Sequence, residues 1–326
     1  MTPPPAPLLF RETMPEIGEI TEWLRALRRK AYVPGSRYQV AAIVMMRAED
    51  GFYFAGGVNV ECYEHRLSLH GEESAIAALA TAFGKEAVID AVWVMAAPDY
   101  LDGPANDPLA MLHGQTCGSC RQQISGLARD ETIPVTAITL NGSPMSVKLG
   151  VLLPHSFSFA DFDPKIAERL KNRPLRMKGG EDGLERRLIR RDPQSERDIF
   201  DWLVQLESVD YASLRGQAVI LTLENGACVA GVKFENAAYT GQGAMQAALG
   251  IAVTAFGRVK VRAVHSLSSS GGAEENGAFY PLPLSAYQSL SEFIAPEGVP
   301  VTLFNHKGES RSTVRAADTA FARPFL

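Results

Sequence analysis

Three residues with metal-binding side chains, His70, Cys117 and Cys120, have the clearest potential for chemistry in this sequence. Zn²⁺ prefers nitrogen and sulfur ligands, and a catalytic zinc site keeps three protein ligands and an open position for water. Glu72, two residues after the imidazole, is then free to move protons. We therefore expect a catalytic zinc site. The alternatives are a pair of buried thiols or a structural zinc, which usually has four protein ligands.

The sequence around these residues predicts that the metal ligands lie at the starts of two helices. Apolar residues recur at helical spacing in the segment 70–84 (HGEESAIAALATAFG), which ends in a glycine typical of a helix stop. The segment 117–128 (CGSCRQQISGLA) also begins like a helix, with its two thiols one turn apart. Because a helix N-terminus carries partial positive charge, it favours the thiolate form that binds zinc.

Length and composition narrow the class of protein. A chain of 326 residues is longer than a typical single domain, so we expect two domains. The net charge of −5, with no basic run longer than Arg28-Arg29-Lys30, argues against a nucleic-acid partner. The sequence has no long apolar stretch and no secretory signal pattern, so we expect no membrane partner. Two of its four cysteines form Cys-x-x-Cys, which indicates a reducing, cytoplasmic compartment.

The chain contains a diverged internal repeat. Residues 40–61 and 218–235 each consist of an apolar run, a turn and a second run that ends in Gly-Val-x-x-Glu, a pattern that predicts a β-hairpin. Residues 70–84 align without gaps with residues 243–257, and both segments end in Thr-Ala-Phe-Gly. A later Ile-Pro-Val-Thr at 133–136 matches a Val-Pro-Val-Thr at 299–302. Because the matches occur in the same order, we interpret them as a duplication rather than a chance similarity.

The alignment predicts that only the first copy can bind a metal. Each proposed site residue of the first copy aligns with a residue of the second copy that can neither bind zinc nor transfer a proton. The aligned pairs are His70 with Gly243, Glu72 with Met245, Cys117 with Pro283, and Cys120 with Ala286.

The order of predicted elements indicates the fold class. Each copy reads as helix, hairpin, helix, strand, helix and strand, with the later strands of the first copy at 88–95 and 135–140. This order predicts an α/β fold, a mixed sheet with helices on its faces, which is duplicated with a degenerate second copy. We expect a catalytic domain at 1–160, a charged linker at 161–195 and a non-catalytic domain at 196–326. Ligands from two helices that follow strands would meet at one end of the sheet.

Taken together, these features resemble the cytidine deaminases, specifically their two-domain homodimeric type. A His-x-Glu with a later Pro-Cys-x-x-Cys is the signature of zinc-dependent nucleobase deaminases. The resemblance covers nearly the whole chain. The segments that carry it are Val40-Ala41-Ala42, Asn59-Val60-Glu61, His70-x-Glu72, the Cys117-Gly118-Ser119-Cys120-Arg121-Gln122 run, and Glu235-Asn236-Ala237-Ala238-Tyr239.

The resemblance implies hydrolytic deamination of cytidine or deoxycytidine to the uridine product and ammonia, in pyrimidine salvage, by a cytoplasmic homodimer. It also implies the role of each site residue. His70, Cys117 and Cys120 would hold Zn²⁺, Glu72 would shuttle protons, Asn59 and Glu61 would bind the ribose hydroxyls, Tyr38 and Phe157 would form aromatic walls, and Ala238 and Tyr239 would reach the partner subunit's site. The ribose contacts point to a free nucleoside as the substrate.

Three departures from the family pattern keep other functions open. Gly71 replaces the usual alanine, Thr116 replaces the proline before the first cysteine, and the segment 98–115 is longer than usual. Because that segment adjoins the predicted site and loops carry specificity, it could reshape the pocket. One alternative is the same chemistry on a modified cytosine nucleoside or another aminated heterocycle. The other is a non-enzymatic, zinc-stabilised binding scaffold.

Overall fold

A computed structural model describes residues 4–101, 108–171, 183, 187–191, 195–206, 209, 215–269 and 277–315. The strands are β1 (Leu8–Arg11), β2 (Tyr38–Arg47), β3 (Phe52–Val58), β4 (Ala91–Pro98), β5 (Pro134–Ile138), β6 (Pro144–Lys148), β7 (Ile189–Arg190), β8 (Gln217–Leu223), β9 (Cys228–Val232), β10 (Val261–Ser268), β11 (Val299–Phe304) and β12 (Ser310–Arg315). The helices are α1 (Ile17–Arg28), α2 (Gly71–Phe83), α3 (Gly118–Leu127), α4 (Leu149–Leu152), α5 (Pro164–Lys171), α6 (Glu196–Gln205), α7 (Ala244–Phe256) and α8 (Leu284–Leu290). No helix in this part of the chain combines the length and apolar content that a membrane span requires.

The strands form two six-stranded sheets in the described part of the chain, and both sheets have the same topology. The strand orders are β1-β3-β2-β4-β5-β6 and β7-β9-β8-β10-β11-β12. In each sheet a central antiparallel hairpin is followed by an antiparallel and then a parallel strand pair. The predicted α/β fold with a mixed sheet and its duplication are therefore confirmed.

The helix starts follow the alignment of the two copies. His70 is the N-cap residue of α2, and the aligned Gly243 is the N-cap residue of α7. Cys117 is the N-cap residue of α3, and the aligned Pro283 is the N-cap residue of α8. The second copy therefore keeps the helix starts of the first copy, although it lacks the candidate ligands.

Helices α2 and α7 pack against each other and join the two halves of the molecule. The hydroxyl oxygen of Thr81 accepts a hydrogen bond from the backbone N–H of Val232 at 3.2 Å, and that of Thr254 accepts one from Val58 at 3.2 Å. Both threonines occupy the same repeat position, so the contact is close to two-fold symmetric. All residues of α2 are buried, including Glu72 and Glu73 in its first turn. Beyond that turn the helix is apolar on nearly every side, as is typical of a buried helix.

Several elements differ from the sequence prediction, and strands β6 and β12, the last strand of each sheet, were not predicted. Strand β4 begins at Ala91 rather than at residue 88, because Ile89 pairs with Ala128 after α3 instead of with the sheet. Strand β1 was not predicted. It lies in the proline-rich N-terminal segment, where a short edge strand needs only one neighbour, and it pairs with β3 from Leu8 opposite Ala55.

The segment 161–195, interpreted as a linker, contains described structure at both ends. Helix α5 lies at its start, and β7 pairs with β9 through Ile189 opposite Val229. The second sheet thus includes chain that precedes residue 196. Residues 172–182, 184–186 and 192–194 of this segment lie outside the described residues.

Candidate active site

His70, Cys117 and Cys120 meet where helices α2 and α3 begin. The Nδ1 atom of His70 lies 3.3 Å from the Sγ atom of Cys117, 47 residues away in sequence. It also lies 3.3 Å from the Sγ atom of Cys120, 50 residues away. The three potential ligand atoms all lie within 4.8 Å of one another. The fold thus brings together the three residues that the sequence singled out.

The arrangement of these three atoms fits zinc. A tetrahedral zinc with Zn–S near 2.3 Å and Zn–N near 2.0 Å places its sulfur and nitrogen ligands about 3.5 Å apart, close to the observed separations. Cys120 is buried, whereas His70 and Cys117 are exposed, so the cluster faces solvent on one side. Among the residues that the structure describes, no fourth histidine, cysteine or carboxylate joins the cluster. The residues present therefore fit a three-ligand zinc site.

Hydrogen bonds among these groups shift their protonation. Hydrogen bonds from Cys120 and His70 lower the pKa of Cys117 to about 3. The hydrogen bond between His70 and Cys117 raises the pKa of His70 to about 9. A separate hydrogen bond between Cys120 and Cys117, together with burial, raises the pKa of Cys120. Cys117 is therefore the thiolate of the pair. Zinc binding would release the remaining protons, because its ligands must be deprotonated.

Glu72 lies in the first turn of α2, two residues after His70, and only 3% of its surface is exposed. Burial raises the pKa of Glu72 to about 7. A carboxyl group with a pKa near the working pH can both accept and return a proton, which is the property that an acid–base catalyst needs. The predicted role in proton transfer stays a prediction, and the burial of Glu72 supports it.

Glu73 was not singled out from the sequence, yet it connects the two ligand-bearing helices. Its Oε2 atom accepts a hydrogen bond from the backbone N–H of His70 at 2.8 Å, and its Oε1 atom accepts one from the side-chain amide of Gln123 in α3. The signal was present as a carboxylate three residues after the N-cap, the spacing of a capping box. The second copy keeps the cap, because Gln246 accepts the backbone N–H of Gly243 at 3.1 Å.

Asn59, predicted to bind ribose, lies just after β3 and holds the start of β2. Its Oδ1 atom accepts the backbone N–H of Val40 at 2.8 Å, and its Nδ2 atom donates to the carbonyl of Tyr38 at 2.8 Å. An amide can form four hydrogen bonds, so Asn59 keeps capacity for a ligand. These two bonds fix its orientation.

Glu61, the other predicted ribose contact, holds the loop before β2. Its Oε2 atom accepts the backbone N–H groups of Gly35 and Ser36 at 2.9 and 3.1 Å, and its Oε1 atom accepts the Ser36 hydroxyl. A carboxylate can accept about four hydrogen bonds, so Glu61 can accept a further one from a ligand.

The predicted aromatic residues are partly exposed. Tyr38 is 40% exposed, and its backbone carbonyl contacts Asn59. Phe157 is 51% exposed and packs edge-on against Phe162, with ring centroids 5.2 Å apart. The backbone carbonyl of Phe157 accepts a hydrogen bond from Gln122, two residues after Cys120 in α3. Phe157 is thus connected to the helix that carries two of the candidate ligands.

Ala238 and Tyr239, predicted to reach a partner subunit, lie in the loop after β9. Tyr239 is 91% exposed and has a positive φ of 57°, which is uncommon for a non-glycine residue. The side chain of Asn236 shapes the turn by accepting the backbone N–H of Ala238 at 2.9 Å. Tyr239 lines a cavity of about 470 Å³ together with Phe159 and residues 233–236 and 241–243, whereas none of the three candidate metal ligands lines it.

The long segment 98–115 is fixed at its beginning by a buried cation. Arg28, which the sequence analysis treated only as part of a basic run, is 1% exposed and donates to the carbonyls of Ala97 and Pro98, each at 3.1 Å, and to that of Leu101. Residues 102–107 lie outside the described residues.

No family model matches the chain. A cytidine deaminase of Mycoplasma pneumoniae is 37% identical over 111 residues, and the match covers 33% of this chain and 70% of that protein. This chain belongs to the cytidine deaminase family. The resemblance seen in the sequence is thereby confirmed, and the chain is an enzyme of the cytidine deaminase type.

Cytidine deaminases are also found among similar solved structures. That of Burkholderia pseudomallei has 29% sequence identity and a TM-score of 0.34, covering 44% of this chain and 100% of that one. That of Mycobacterium leprae has 24% identity and a TM-score of 0.31, covering 41% and 94% respectively.

Proposed function

We propose that this deaminase family member uses zinc to hydrolyse cytidine or deoxycytidine to the uridine product and ammonia, as a step of pyrimidine salvage. The observation that carries the proposal is the position of His70 Nδ1, 3.3 Å from both the Cys117 and the Cys120 sulfur. The buried carboxyl group of Glu72 follows two residues later. The cytidine deaminase of Mycoplasma pneumoniae, 37% identical over 111 residues, supports the substrate class.

The reaction divides between the metal and the chain. When bound by His70, Cys117 and Cys120, zinc supplies a Lewis acid that makes water nucleophilic near neutral pH. Glu72 takes the proton that the attacking water loses. It delivers this proton to the ring nitrogen. It then takes the second proton of the former water from the hydroxyl group on the tetrahedral carbon and delivers it to the amino group, which leaves as ammonia while the carbonyl forms, so one carboxylate serves both as base and as acid. The pKa of Glu72 near 7, raised by burial, suits both directions of transfer.

The substrate contacts are part of the same proposal. Asn59 and Glu61 bind the ribose hydroxyls, and Tyr38 and Phe157 flank the base. Asn59 is supported in this role by two backbone hydrogen bonds of 2.8 Å that orient its amide before any ligand arrives. Groups that are held in place lose less conformational freedom on binding, which strengthens recognition.

We also propose that the enzyme is a cytoplasmic homodimer with a catalytic unit at 1–160, a connecting segment at 161–195 and a non-catalytic unit at 196–326. Ala238 and Tyr239 would complete the partner's site, and the 91% exposure of Tyr239 supports a contact outside its own chain. All four cysteines are free, which supports a reducing compartment.

The proposal is tested with the purified full-length chain, its bound metal measured first, against cytidine, deoxycytidine, 5-methylcytidine and cytosine. We expect one zinc per chain, with turnover of cytidine or deoxycytidine that Glu72→Gln abolishes. Turnover of 5-methylcytidine alone would favour the modified-nucleoside alternative, which rests on the long segment 98–115 beside the site. Stoichiometric zinc without turnover of any substrate would favour the binding scaffold.

A further inference from the structure

Three buried polar side chains, Glu73, Gln123 and Gln242, form a hydrogen-bonded network between the two ligand-bearing helices and the second half of the chain. They are 8%, 1% and 4% exposed. Glu73 bonds to the backbone of His70 and to the amide of Gln123. Gln123 lies one turn after Cys120 on α3. The network therefore starts at the backbone of one candidate ligand and reaches the helix that carries the other two.

Gln242 is the member of this network that comes from the second half, directly before Gly243, the N-cap of α7. Its Nε2 atom donates to the backbone carbonyl of Glu73 at 2.9 Å and to the Oε1 atom of Gln123 at 3.0 Å. Its own backbone is held by two hydrogen bonds with Phe234. One amide group of the second half thus contacts both α2 and α3.

The two glutamines of the network are not repeated at the equivalent positions of the duplicated fold. The repeat equivalents of Gln242 and Gln123 are Leu69 and Ser289, and neither carries an amide. Ser289 donates to the carbonyl of Ser285 at 3.1 Å within its own helix. Because neither glutamine has an amide at its repeat equivalent, the stability that both halves of the duplicated fold require does not by itself explain this pair of residues.

Because its side chains are buried, this network fixes the spacing between the helices. A buried amide that loses its hydrogen-bond partner is strongly unfavourable, so the helices are held at the spacing that satisfies all three side chains. That spacing also sets the distances from His70 Nδ1 to the two sulfur atoms. Residues that orient metal ligands from behind typically change metal affinity by about 10–100-fold when they are mutated.

We propose that Gln242 is a positioning residue for the metal site, through which the half that lost its ligands fixes the relative placement of His70, Cys117 and Cys120. The inference rests on the proposed zinc site. It assigns the second half a direct contribution to metal binding within its own chain, separate from any contribution to a partner subunit.

The test compares two glutamine-to-leucine variants of the full-length chain. Gln242→Leu introduces the residue that the first copy has at position 69, keeps a similar volume and removes the donor. We expect the zinc dissociation constant, measured by competition with a chromogenic chelator, to rise about 10–100-fold. The matched control is Gln246→Leu, in the same half, which removes the cap of Gly243. This variant should lower the melting temperature without changing zinc affinity.

A double variant adds a second criterion. Because Gln123 and Gln242 share a hydrogen bond, the affinity loss of Gln123→Leu with Gln242→Leu should be smaller than the two single losses combined. If Gln242→Leu does not fold, Gln242→Met, whose flexible chain fits irregular space, is measured by the same criteria.

The outcomes separate this inference from the proposed function. Unchanged zinc affinity in a folded Gln242 variant, or an equal affinity loss in Gln246→Leu, would overturn the positioning role while leaving the zinc site intact. A wild-type chain that binds no stoichiometric zinc would overturn the proposed function first, and the positioning role with it.

Discussion

Gly57 and Gly231 occupy equivalent positions in the two halves, and each lies so close to a helix that no side chain fits. A Cβ atom on Gly57 would come within 2.1 Å of the backbone nitrogen of Ala75 in α2. A Cβ atom on Gly231 would come within 2.2 Å of that of Ala248 in α7. The same close approach therefore positions one helix that carries a candidate metal ligand and one that does not.

This equivalence predicts that alanine at the two positions will have the same effect on stability and different effects on metal binding. Overpacking usually costs about 1–3 kcal/mol, so Gly57→Ala and Gly231→Ala should both lower the free energy of unfolding by at least that amount. Only Gly57→Ala, which displaces α2, should also weaken zinc binding. Denaturant unfolding and chelator competition measure the two effects. A Gly57→Ala protein with wild-type zinc affinity would contradict the prediction.

We expect one zinc per chain, because the ligands of the second copy are replaced by Gly243, Pro283 and Ala286. Metal analysis of the purified chain should give a ratio near one, and the Cys117→Ala and Cys120→Ala double variant should retain none. Removing zinc with a chelator should abolish activity, and adding zinc should restore it. Two zinc ions per chain would show that the second half binds metal as well.

Glu72→Gln should keep the fold and the zinc but lose about 10²–10⁴-fold in kcat, the range typical of general acid–base groups. Glutamine has nearly the same volume and cannot accept the proton of the attacking water. The control is Glu49→Gln, an exposed carboxylate in the β2–β3 turn, which should leave kcat unchanged. A loss of less than tenfold in Glu72→Gln would exclude the proposed proton transfer.

Asn59→Ala and Glu61→Ala should raise KM, or lower kcat/KM, far more for cytidine than for free cytosine. A comparison variant is Ser36→Ala, which removes only the hydroxyl hydrogen bond between Glu61 and the loop before β2 and keeps the carboxylate. We expect Ser36→Ala to be much milder, because the backbone hydrogen bonds of 2.9 and 3.1 Å remain. Equal losses on nucleoside and base would show that neither residue binds the sugar.

The full-length chain should sediment as a homodimer, the commonest closed oligomer. Tyr239→Ala should reduce kcat/KM without changing the zinc content, since its side chain is 91% exposed in its own chain. Val204→Ala, which truncates another exposed apolar side chain of the second half, should have little effect. A truncated chain of residues 1–195 should be inactive, because α2 would lose the helix packed against it. A monomeric full-length enzyme, or a fully active fragment, would refute this arrangement.

The sequence by itself identified the candidate metal ligands, the helix starts and the repeat, because each depends on residue type and local spacing. His70 and Cys117 stand at helix N-caps as predicted, and the alignment of Cys117 with Pro283 matches the second pair of caps. Hairpins and apolar helices leave periodic patterns over neighbouring residues, so their order along the chain predicted the duplicated mixed sheets.

Only the tertiary structure decided which polar side chains hold these elements together. Glu73 and Gln123 are 50 positions apart in sequence. Gln242 is 119 positions from Gln123 and 169 from Glu73. No local sequence pattern encodes contacts over such separations. Likewise, Arg28 stood in the sequence only as part of a basic run, and the fold buries it against the carbonyls of Ala97 and Pro98 at the end of β4. A buried polar group is defined by the partners that satisfy it, and those partners are known only once distant segments have packed.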